Sequence, residues 1–408
     1  MGYLLRFLLI LTSVFTASGA WAQYEGLMYA EVALKDRSSV TGLVRWSGGQ
    51  MLWSDILLVS KTEQYALKYL NQSQINALSD DSELDWAFIN LWKEKLPQRQ
   101  NELLCRFGDI GSIHVTGPDQ AQIYFKNGAK LRVATDQHEN RHLGKDITIF
   151  DGGKRKIGWN QISRINFRNA PEKFQPFPAR LLYGTVSTNN GDFSGFIQWD
   201  KIKFLSTQKL EGKLNSESTT DNEYRFDLIQ NIEKRDKGAM VKFKDDKKIF
   251  LKNNRDVNVS NRGIVVMHPE WGRVIIGWEA FKSVEFTEVP NDLGYSSYPP
   301  AKRIYATVKR SDGKVFKGNC TFDLDEEWNN ELLEGSANSI HYQIPFKFIR
   351  SVSVVNEQQS QVVLRNNRTL ALANHNDVTS KNWGVIIWLG NSKHQYVPWD
   401  KIADISFR

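Results

Sequence analysis

One eleven-residue pattern is written three times in this 408-residue chain, at intervals of about 120 residues. "IGWNQISRINF" covers Ile157–Phe167, "IGWEAFKSVEF" covers Ile276–Phe286, and "VPWDKIADISF" covers Val397–Phe407. Self-similarity at a fixed period is typical of tandem copies of one structural unit. The repeat therefore predicts three related units before composition is considered.

The spacing inside the pattern predicts its local structure. Trp278 is followed by Phe281, Val284 and Phe286, at intervals of three, three and two residues. Residues three apart share a face in a 3₁₀ turn, and residues two apart share a face in a strand. We expect a 3₁₀ turn that runs into a strand, with the tryptophan as a buried anchor.

The same spacing recurs between the three copies with phenylalanine as the anchor. The six anchors are Phe107, Trp159, Phe226, Trp278, Phe346 and Trp399. They lie 52, 67, 52, 68 and 53 residues apart. This alternation predicts two related halves in each repeat.

Turn signals between apolar runs predict β-hairpins at the start of each half. Asn127-Gly128, Asn190-Gly191 and Asp312-Gly313 are pairs that accept the positive φ values of tight hairpin turns. A glycine also lies four residues before an aromatic residue in the second strand of each repeat, as in Gly42 and Trp46. Glycine within a strand indicates a bulge or bend.

Strand, hairpin, bent strand, further strand, 3₁₀ turn and closing strand within 50–65 residues resemble an SH3-like or Sm-like small barrel. The pattern "GxVxWD … NRGIxV … W" is also similar to repeats in uncharacterised secreted bacterial proteins. The resemblance implies an all-β fold of about six small barrels in three pairs. An outer-membrane barrel is the alternative, although its strands would alternate over about ten residues.

The domain boundaries follow from the repeats. Residues 1–22 have Arg6, an apolar run and "AWA", which predict a signal peptide cleaved before Gln23. Repeat 1 is expected to cover 23–170, repeat 2 to cover 171–290 and repeat 3 to cover 291–408. We expect an exported chain, periplasmic or extracellular, without a transmembrane segment.

Residues 61–104 interrupt the first unit and have no counterpart in the other units. "TEQYALKYLNQSQINAL" and "SELDWAFINLWKEKL" predict two helices, the second with an apolar stripe. The stripe packs on the first barrel or is offered to a partner. Trp86 and Trp92, with Trp271 at a hairpin tip, are the residues expected at a partner surface.

An acidic loop and a histidine loop are weak candidates for metal binding. Asp323, Asp325, Glu327 and Glu334 fall on carboxylate positions of a calcium loop, but Trp328 replaces the glycine that its sharp turn needs. His138 and His142 are four apart, yet neighbouring Asp136 aligns with Asp256 and Asp377 of turn-forming loops. We expect no metal and no cofactor.

The two cysteines, Cys105 and Cys320, occupy slots that are apolar in other repeats, so we interpret them as small core residues rather than a disulfide. The formal net charge of +7 is a mild basic bias. Basic residues are interrupted by acids, which favours a solvated surface, and no nucleic-acid partner is expected.

No motif for nucleophilic, zinc-dependent, phosphate-binding or dinucleotide chemistry occurs in the chain. The sequence therefore favours a non-enzymatic binding protein of a bacterial envelope, with a glycan or protein as its partner. A hydrolase whose site is assembled between barrels is the alternative.

Overall fold

The computed structural model describes residues 26–46, 49–63, 65–80, 102–135, 142–171, 179–215, 220–268, 272–289, 294–390 and 393–408. This part of the chain is predominantly β-structure, with one α-helix, α1 (Gln72–Asp80). The predicted signal peptide, the second predicted helix and Trp86, Trp92 and Trp271 lie outside these residues.

Each repeat contributes ten strands to the described structure. The strands of repeat 1 are β1 Tyr29–Leu34, β2 Ser39–Arg45, β3 Ile56–Lys61, β4 Glu102–Arg106, β5 Ile110–Val115, β6 Gln120–Phe125, β7 Lys130–Ala134, β8 Ile147–Phe150, β9 Lys154–Ile157 and β10 Ile162–Phe167. Those of repeat 2 are β11 Tyr183–Thr188, β12 Gly191–Gln198, β13 Lys209–Gly212, β14 Asn222–Arg225, β15 Ile229–Arg235, β16 Gly238–Phe243, β17 Lys248–Lys252, β18 Ile264–His268, β19 Gly272–Ile276 and β20 Phe281–Thr287. Those of repeat 3 are β21 Tyr305–Arg310, β22 Val315–Phe322, β23 Leu332–Ala337, β24 Ile340–Pro345, β25 Ile349–Asn356, β26 Gln359–Leu364, β27 Thr369–Ala373, β28 Val385–Gly390, β29 Lys393–Val397 and β30 Ile402–Phe407.

The predicted 3₁₀ turn is present at five of the six anchors. These turns are Phe107–Asp109, Trp159–Gln161, Phe226–Leu228, Phe346–Phe348 and Trp399–Lys401. Trp278 begins a hydrogen-bonded turn instead, in which Ala280 N donates to Gly277 O at 3.0 Å. Further 3₁₀ turns are Tyr65–Tyr69, Arg255–Val257, Tyr295–Ser297 and Asn376–Val378. All six anchor rings are buried, at 6% exposure or less.

The two halves of a repeat exchange strands instead of closing separately. In repeat 1 the strand order is β4-β3-β7-β6-β5-β10-β1-β2-β8-β9. Strands β1 and β2 of the first half pair with β10 and β8 of the second, and β3 of the first half pairs with β7. Repeat 3 has the same order. Repeat 2 keeps it, with hairpin β13-β14 joined to β17 by one bridge.

The closing strands of the two halves pair with each other around a local two-fold relationship. Ile113 lies opposite Ile165, so the same slot of the anchor pattern meets itself. Ile232 opposite Val284 and Val352 opposite Ile405 repeat this arrangement. We expected six small barrels, each built from consecutive strands of one half. The strands of the two halves of a repeat pair with each other instead. Because both halves carry the same pattern, a strand of one half fits the place of its counterpart in the other.

The glycines of the second strands have a specific steric role. A Cβ on Gly42 would lie 2.4 Å from the Phe150 carbonyl oxygen. At Gly195 the distance to the Met267 oxygen would be 2.3 Å. Gly318 corresponds to both in repeat 3. Glycine therefore allows the backbone of β2 to approach that of β8 closely, and likewise for the equivalent strands of the other repeats.

The three repeats contact one another in every pairing. Strand β19 of repeat 2 pairs with β24 of repeat 3, joining their sheets. Phe196 and Met267 of repeat 2 pack into the core of repeat 1. Repeat 1 reaches repeat 3 through the insertion, and this boundary contains the candidate site.

Candidate functional site

The insertion of repeat 1 covers the outer edge of repeat 3. Its residues Ala66, Leu67 and Leu70 form an apolar cluster with Leu324, Ile386 and Tyr396 of repeat 3. The His394 ring, on edge strand β29, hydrogen-bonds through Nε2 to the Tyr69 carbonyl oxygen at 2.9 Å. Burial of these apolar side chains stabilises the contact. The described part of the insertion is thus partnered within the chain.

A repeated turn prepares the site. Asp55, Gln208 and Glu331 occupy the same slot before the third strand of each repeat. Each side chain accepts hydrogen bonds from the backbone N–H groups three and four residues earlier. Such bonds satisfy turn donors that burial would otherwise leave unpaired. In repeat 3 these hydrogen bonds use Glu331 Oε2, so the other carboxylate oxygen, Oε1, is left to contact repeat 1.

Lys61 crosses the boundary to meet that carboxylate. It ends β3, and its Nζ lies 2.7 Å from Asp325 Oδ1 and 3.4 Å from Glu331 Oε1. The Lys61 side chain is only 8% exposed. Burial alone lowers the pKa of Lys61, but Asp325, Glu331 and Glu326 outweigh it and raise that pKa above its usual value. Lys61 is therefore held as a cation among carboxylates.

A cavity of about 350 Å³ opens around this ion cluster and carries a strongly acidic lining. We call it the acidic cavity. Its charged or titratable lining residues are Lys61, Glu102, Asp323, Asp325, Glu326, Glu331, Glu334, His375 and Asp377, and Trp383 adds an aromatic wall. Carboxylates outnumber cationic groups, so the cavity favours a ligand that donates hydrogen bonds or carries positive charge.

Glu326 differs from the other carboxylates of the acidic cavity. Its Oε2 atom is buried and has no hydrogen-bond partner among the described residues. Burial, followed by the charges of Asp377, Asp325 and Asp323, raises the pKa of Glu326 well above its usual value. The raised pKa shifts Glu326 toward its protonated form, which can donate a hydrogen bond to a molecule in the cavity.

Glu334, another carboxylate of the acidic cavity, is stabilised as an anion. Its Oε1 lies 3.0 Å from His341 Nε2, and its Oε2 lies 3.4 Å from His375 Nε2. Burial opposes ionisation, but the His341 hydrogen bond and the charge of His375 lower the pKa of Glu334. Burial also opposes the charge of His375, yet Asp377 and Glu334 raise its pKa to about 9. One cavity thus contains carboxyl groups with opposite pKa shifts.

A second cavity of about 290 Å³ shares Lys61, Asp325 and Glu331 with the first. We call it the aromatic cavity, because Tyr65, Phe125 and Trp328 line it. Lys130 and Glu63 lie in its wall as well. The two cavities together form what we call the interface groove. It combines flat aromatic rings with hydrogen-bonding carboxylates, a composition suited to a small polar ligand.

The residues of the predicted calcium loop take separate partners. Asp323 Oδ1 accepts from Trp383 N at 2.6 Å, and Asp325 binds Lys61. Glu327 pairs with Arg303, and Glu334 lies with the histidines. In the described ranges no group of three His, Cys, Asp or Glu side chains is arranged to hold a metal ion. Four of these predicted residues instead lie in or beside the interface groove.

The histidine loop has a structural role that the sequence did not indicate. His142 Nδ1 accepts a hydrogen bond from Leu58 N at 2.9 Å. Glu334 is the residue of repeat 3 equivalent to Leu58, and its N–H donates to Asp377 Oδ2 at 2.7 Å. Asp256 binds Glu211 N in the same way. His142 therefore occupies the slot that alignment gave to Asp136, which lies outside the described residues. Burial lowers the pKa of His142 to about 4.

Three tryptophans outside the anchor slots, and the two cysteines, lie either in the core or in the groove. Trp53 is buried at 1% exposure, whereas Trp328 and Trp383 line the groove. The interpretation of Cys105 and Cys320 as core residues is confirmed, because both are buried free thiols. Burial raises the pKa of each thiol, which disfavours thiolate chemistry.

No protein-family model, curated protein or solved structure matches the chain. Among the described helices, none has the length and apolar content needed to span a bilayer. The groove itself is therefore the basis for a functional assignment.

Proposed function

We propose that this chain is an exported binding protein of a bacterial cell envelope and that it holds a glycan in the interface groove. The observation that carries the proposal is the junction of an aromatic cavity with an acidic cavity at one boundary. A pyranose ring has an apolar face that packs on an aromatic ring, and hydroxyls that donate to carboxylates. The groove offers both kinds of contact side by side.

The order of strands supports the finer fold assignment to SH3-like units. The set β10-β1-β2-β8-β9 has a 3₁₀ turn just before its closing strand β10, and β5-β6-β7-β3-β4 has the same turn before β5. We infer that each repeat is a pair of SH3-like units that have exchanged strands. Loops and insertions on such rigid frames are suited to recognition.

Within the groove, we assign stacking to Trp328 and Tyr65, and hydrogen bonding to Asp325 and Glu326. Trp328 is partly exposed, and the Arg303 guanidinium lies 5.3 Å from its ring centroid, so one face is supported. Tyr65 is 52% exposed. A partner bound here would contact repeats 1 and 3 together.

The proposal is tested by calorimetric titration of soluble peptidoglycan fragments into the intact chain. We expect binding that Trp328→Ala weakens by at least about tenfold, because truncation of an aromatic anchor at a binding hot spot costs about 2 kcal/mol or more. Val259→Ala is the control, because Val259 is 79% exposed and lies away from the groove. Equal affinity in both variants would contradict the site, and capture of an envelope protein without glycan binding would favour a protein partner.

A glycan hydrolase is the second candidate function. It is favoured by the opposite pKa shifts of Glu326 and Glu334, because glycosidases pair a protonated carboxylic acid with an ionised carboxylate. Release of reducing ends from peptidoglycan, abolished by Glu326→Gln while fragment binding persists, would support hydrolysis. Binding without release of reducing ends would support the binding protein.

A further inference from the structure

Three strands of this chain occupy the same position in their respective repeats, but their outer edges have different neighbours. They are β9, β19 and β29, each of which precedes an anchor tryptophan. Strand β19 pairs with β24 of the next repeat, and β29 is covered by the insertion through Tyr69. Strand β9 ends its sheet, with Lys154, Arg155 and Lys156 exposed.

The partner position is filled in repeat 3 and lacks a further strand in repeats 1 and 2. In repeat 1 it is β4, which pairs with β3 alone among the described strands and is largely buried. Strand β24 of repeat 3 accepts β19, while its counterpart β14 of repeat 2 pairs with β13 alone among the described strands. Glu223 in β14 and Asp221 just before it are exposed. An open strand edge is a template for pairing with another chain. Strands β9 and β14 therefore offer one exposed open edge of each type.

The β19–β24 joint gives the register that an equivalent joint would have. In that joint Arg273 lies opposite Gln343, and Ile275 lies opposite His341. Alignment on the anchor residues places Lys154 in the slot of Arg273 and Lys156 in that of Ile275. It places Glu223 in the slot of Gln343 and Asp221 in that of His341.

In this register the two open edges have complementary charge. Lys154 would face Glu223, Lys156 would face Asp221, and Arg155 would face Asn222. Opposite charges directly across an antiparallel pair are favourable, and like charges are not. The present partners of these groups are exposed: Lys156 pairs with Asp146, and Glu223 pairs with Lys209. Asp221 accepts from Asn254 Nδ2 at 2.9 Å.

We propose that β9 of one copy of this chain pairs with β14 of a second copy, in the register of the β19–β24 joint. The contact is heterologous, since one copy gives a basic strand and the other an acidic strand. Two copies can form a closed dimer if each gives its β9 to the β14 of the other. Otherwise the β9–β14 contact continues from copy to copy as an open chain. Lysines on an edge strand also discourage unspecific pairing; here they select an acidic partner strand.

The experiment is sedimentation velocity of the full chain over a range of concentrations, with a charge exchange. We expect the wild type to associate, and Lys154→Glu/Lys156→Glu to weaken association at least about tenfold, because like charges then meet. Asp221→Lys/Glu223→Lys should do the same. An equimolar mixture of the two variants should associate again, because each basic edge then finds an acidic one. Lys244→Glu/Lys247→Glu is the matched control, with the same change of net charge in an exposed turn.

Register is tested separately by mixing Lys154→Cys with Glu223→Cys under mild oxidation. Disulfide-linked pairs are expected from this mixture and not from Lys154→Cys with Lys244→Cys. The native thiols do not interfere, because Cys105 and Cys320 are buried. A wild type that stays monomeric at every concentration, or a charge exchange that fails to restore association, would overturn the proposal.

Discussion

Repeats 1 and 3 have the same ten strands in the same order, yet they differ in what surrounds them. Repeat 1 carries the insertion and ends β3 in Lys61, while repeat 3 carries the acidic loop from Asp323 to Glu334. The groove forms where these two departures from the pattern meet. Equivalent positions therefore maintain the fold, and the residues that do not repeat build the site.

The slot of Asp377 illustrates the same division. In repeat 3 it holds an aspartate beside His375, whereas in repeat 1 it holds the uncharged ring of His142. Both accept a backbone N–H from the third strand, so the structural role is preserved. In repeat 3 the slot places a carboxylate in the lining of the acidic cavity.

The largest effect is expected where the repeats are equivalent. Trp159→Ala and Trp399→Ala should each lower the free energy of unfolding by about 3–5 kcal/mol, as truncations of large core side chains do. Trp278→Ala should behave alike. Urea denaturation measures the loss, with Leu389→Ala, an exposed site, as the control. A near-normal unfolding curve for any of the three variants would contradict the view that the three anchor tryptophans have the same structural role.

The next effect concerns a contact that only the first and third repeats make. Lys61→Met should lower the free energy of unfolding at pH 7 by about 3 kcal/mol, because it leaves buried carboxylates without their cation. The loss should shrink as the pH falls below 7, since burial raises the pKa of Glu331 and its protonation removes the unpaired negative charge. Lys244→Met in an exposed turn is the control. A loss that does not change with pH would argue against an electrostatic role.

The two histidines should give opposite pH dependences. The pKa of His375 is raised to about 9, so its stabilisation is complete below pH 6.5 and is lost as pH rises to 9. The pKa of His142 is lowered to about 4, so stability falls as pH drops from 6.5 to 4. Each effect should be about 1–2 kcal/mol, because the rings are only partly shielded from solvent.

Stability measured against pH separates the two. His375→Gln should remove the alkaline loss, and His142→Gln should remove the acid loss while its amide oxygen still accepts from Leu58. Identical pH profiles for the two variants would contradict the assigned environments.

The smallest effect distinguishes two equivalent rings. Trp159 Nε1 donates to the Gly117 carbonyl at 3.1 Å, whereas Trp399 Nε1 is buried without a partner in the described residues. Trp159→Phe should therefore cost about 1 kcal/mol more than Trp399→Phe, which is the net value of one hydrogen bond. Thermal unfolding of the two variants measures the difference. Equal costs would mean that the hydrogen bond contributes nothing.

Sequence patterns predicted the parts of the fold that depend on short-range periodicity. Anchor spacings at Phe107 and Trp159 indicated a 3₁₀ turn followed by a strand, and turns such as Asn127-Gly128 indicated hairpins; both are present. The hairpin predicted at Asn190-Gly191 is present as well, with its turn one residue earlier, at Asn189-Asn190. Strand exchange was missed, because both halves offer the same apolar faces and local patterns do not specify which half pairs with which. Gly42 indicated a bend, but its role is a close backbone approach.

The candidate site was predicted only in fragments. Asp325 and Trp328 were noticed only as parts of an acidic loop that departs from a calcium loop, and the insertion as a departure from the repeat. Lys61 carried no signal, because its partners lie more than 260 residues away in sequence. The insertion and the acidic loop are the two segments that break the repeat, and that shared property could have linked them.

Hydrogen–deuterium exchange with and without soluble peptidoglycan fragments reports on the groove-lining segments of repeats 1 and 3 in one sample. We expect slower exchange on ligand addition in two segments together, 56–67 and 323–334, while the equivalent segment 200–211 of repeat 2 stays unchanged. Protection confined to one repeat, or appearing equally at residues 200–211, would contradict a site built where the first and third repeats differ.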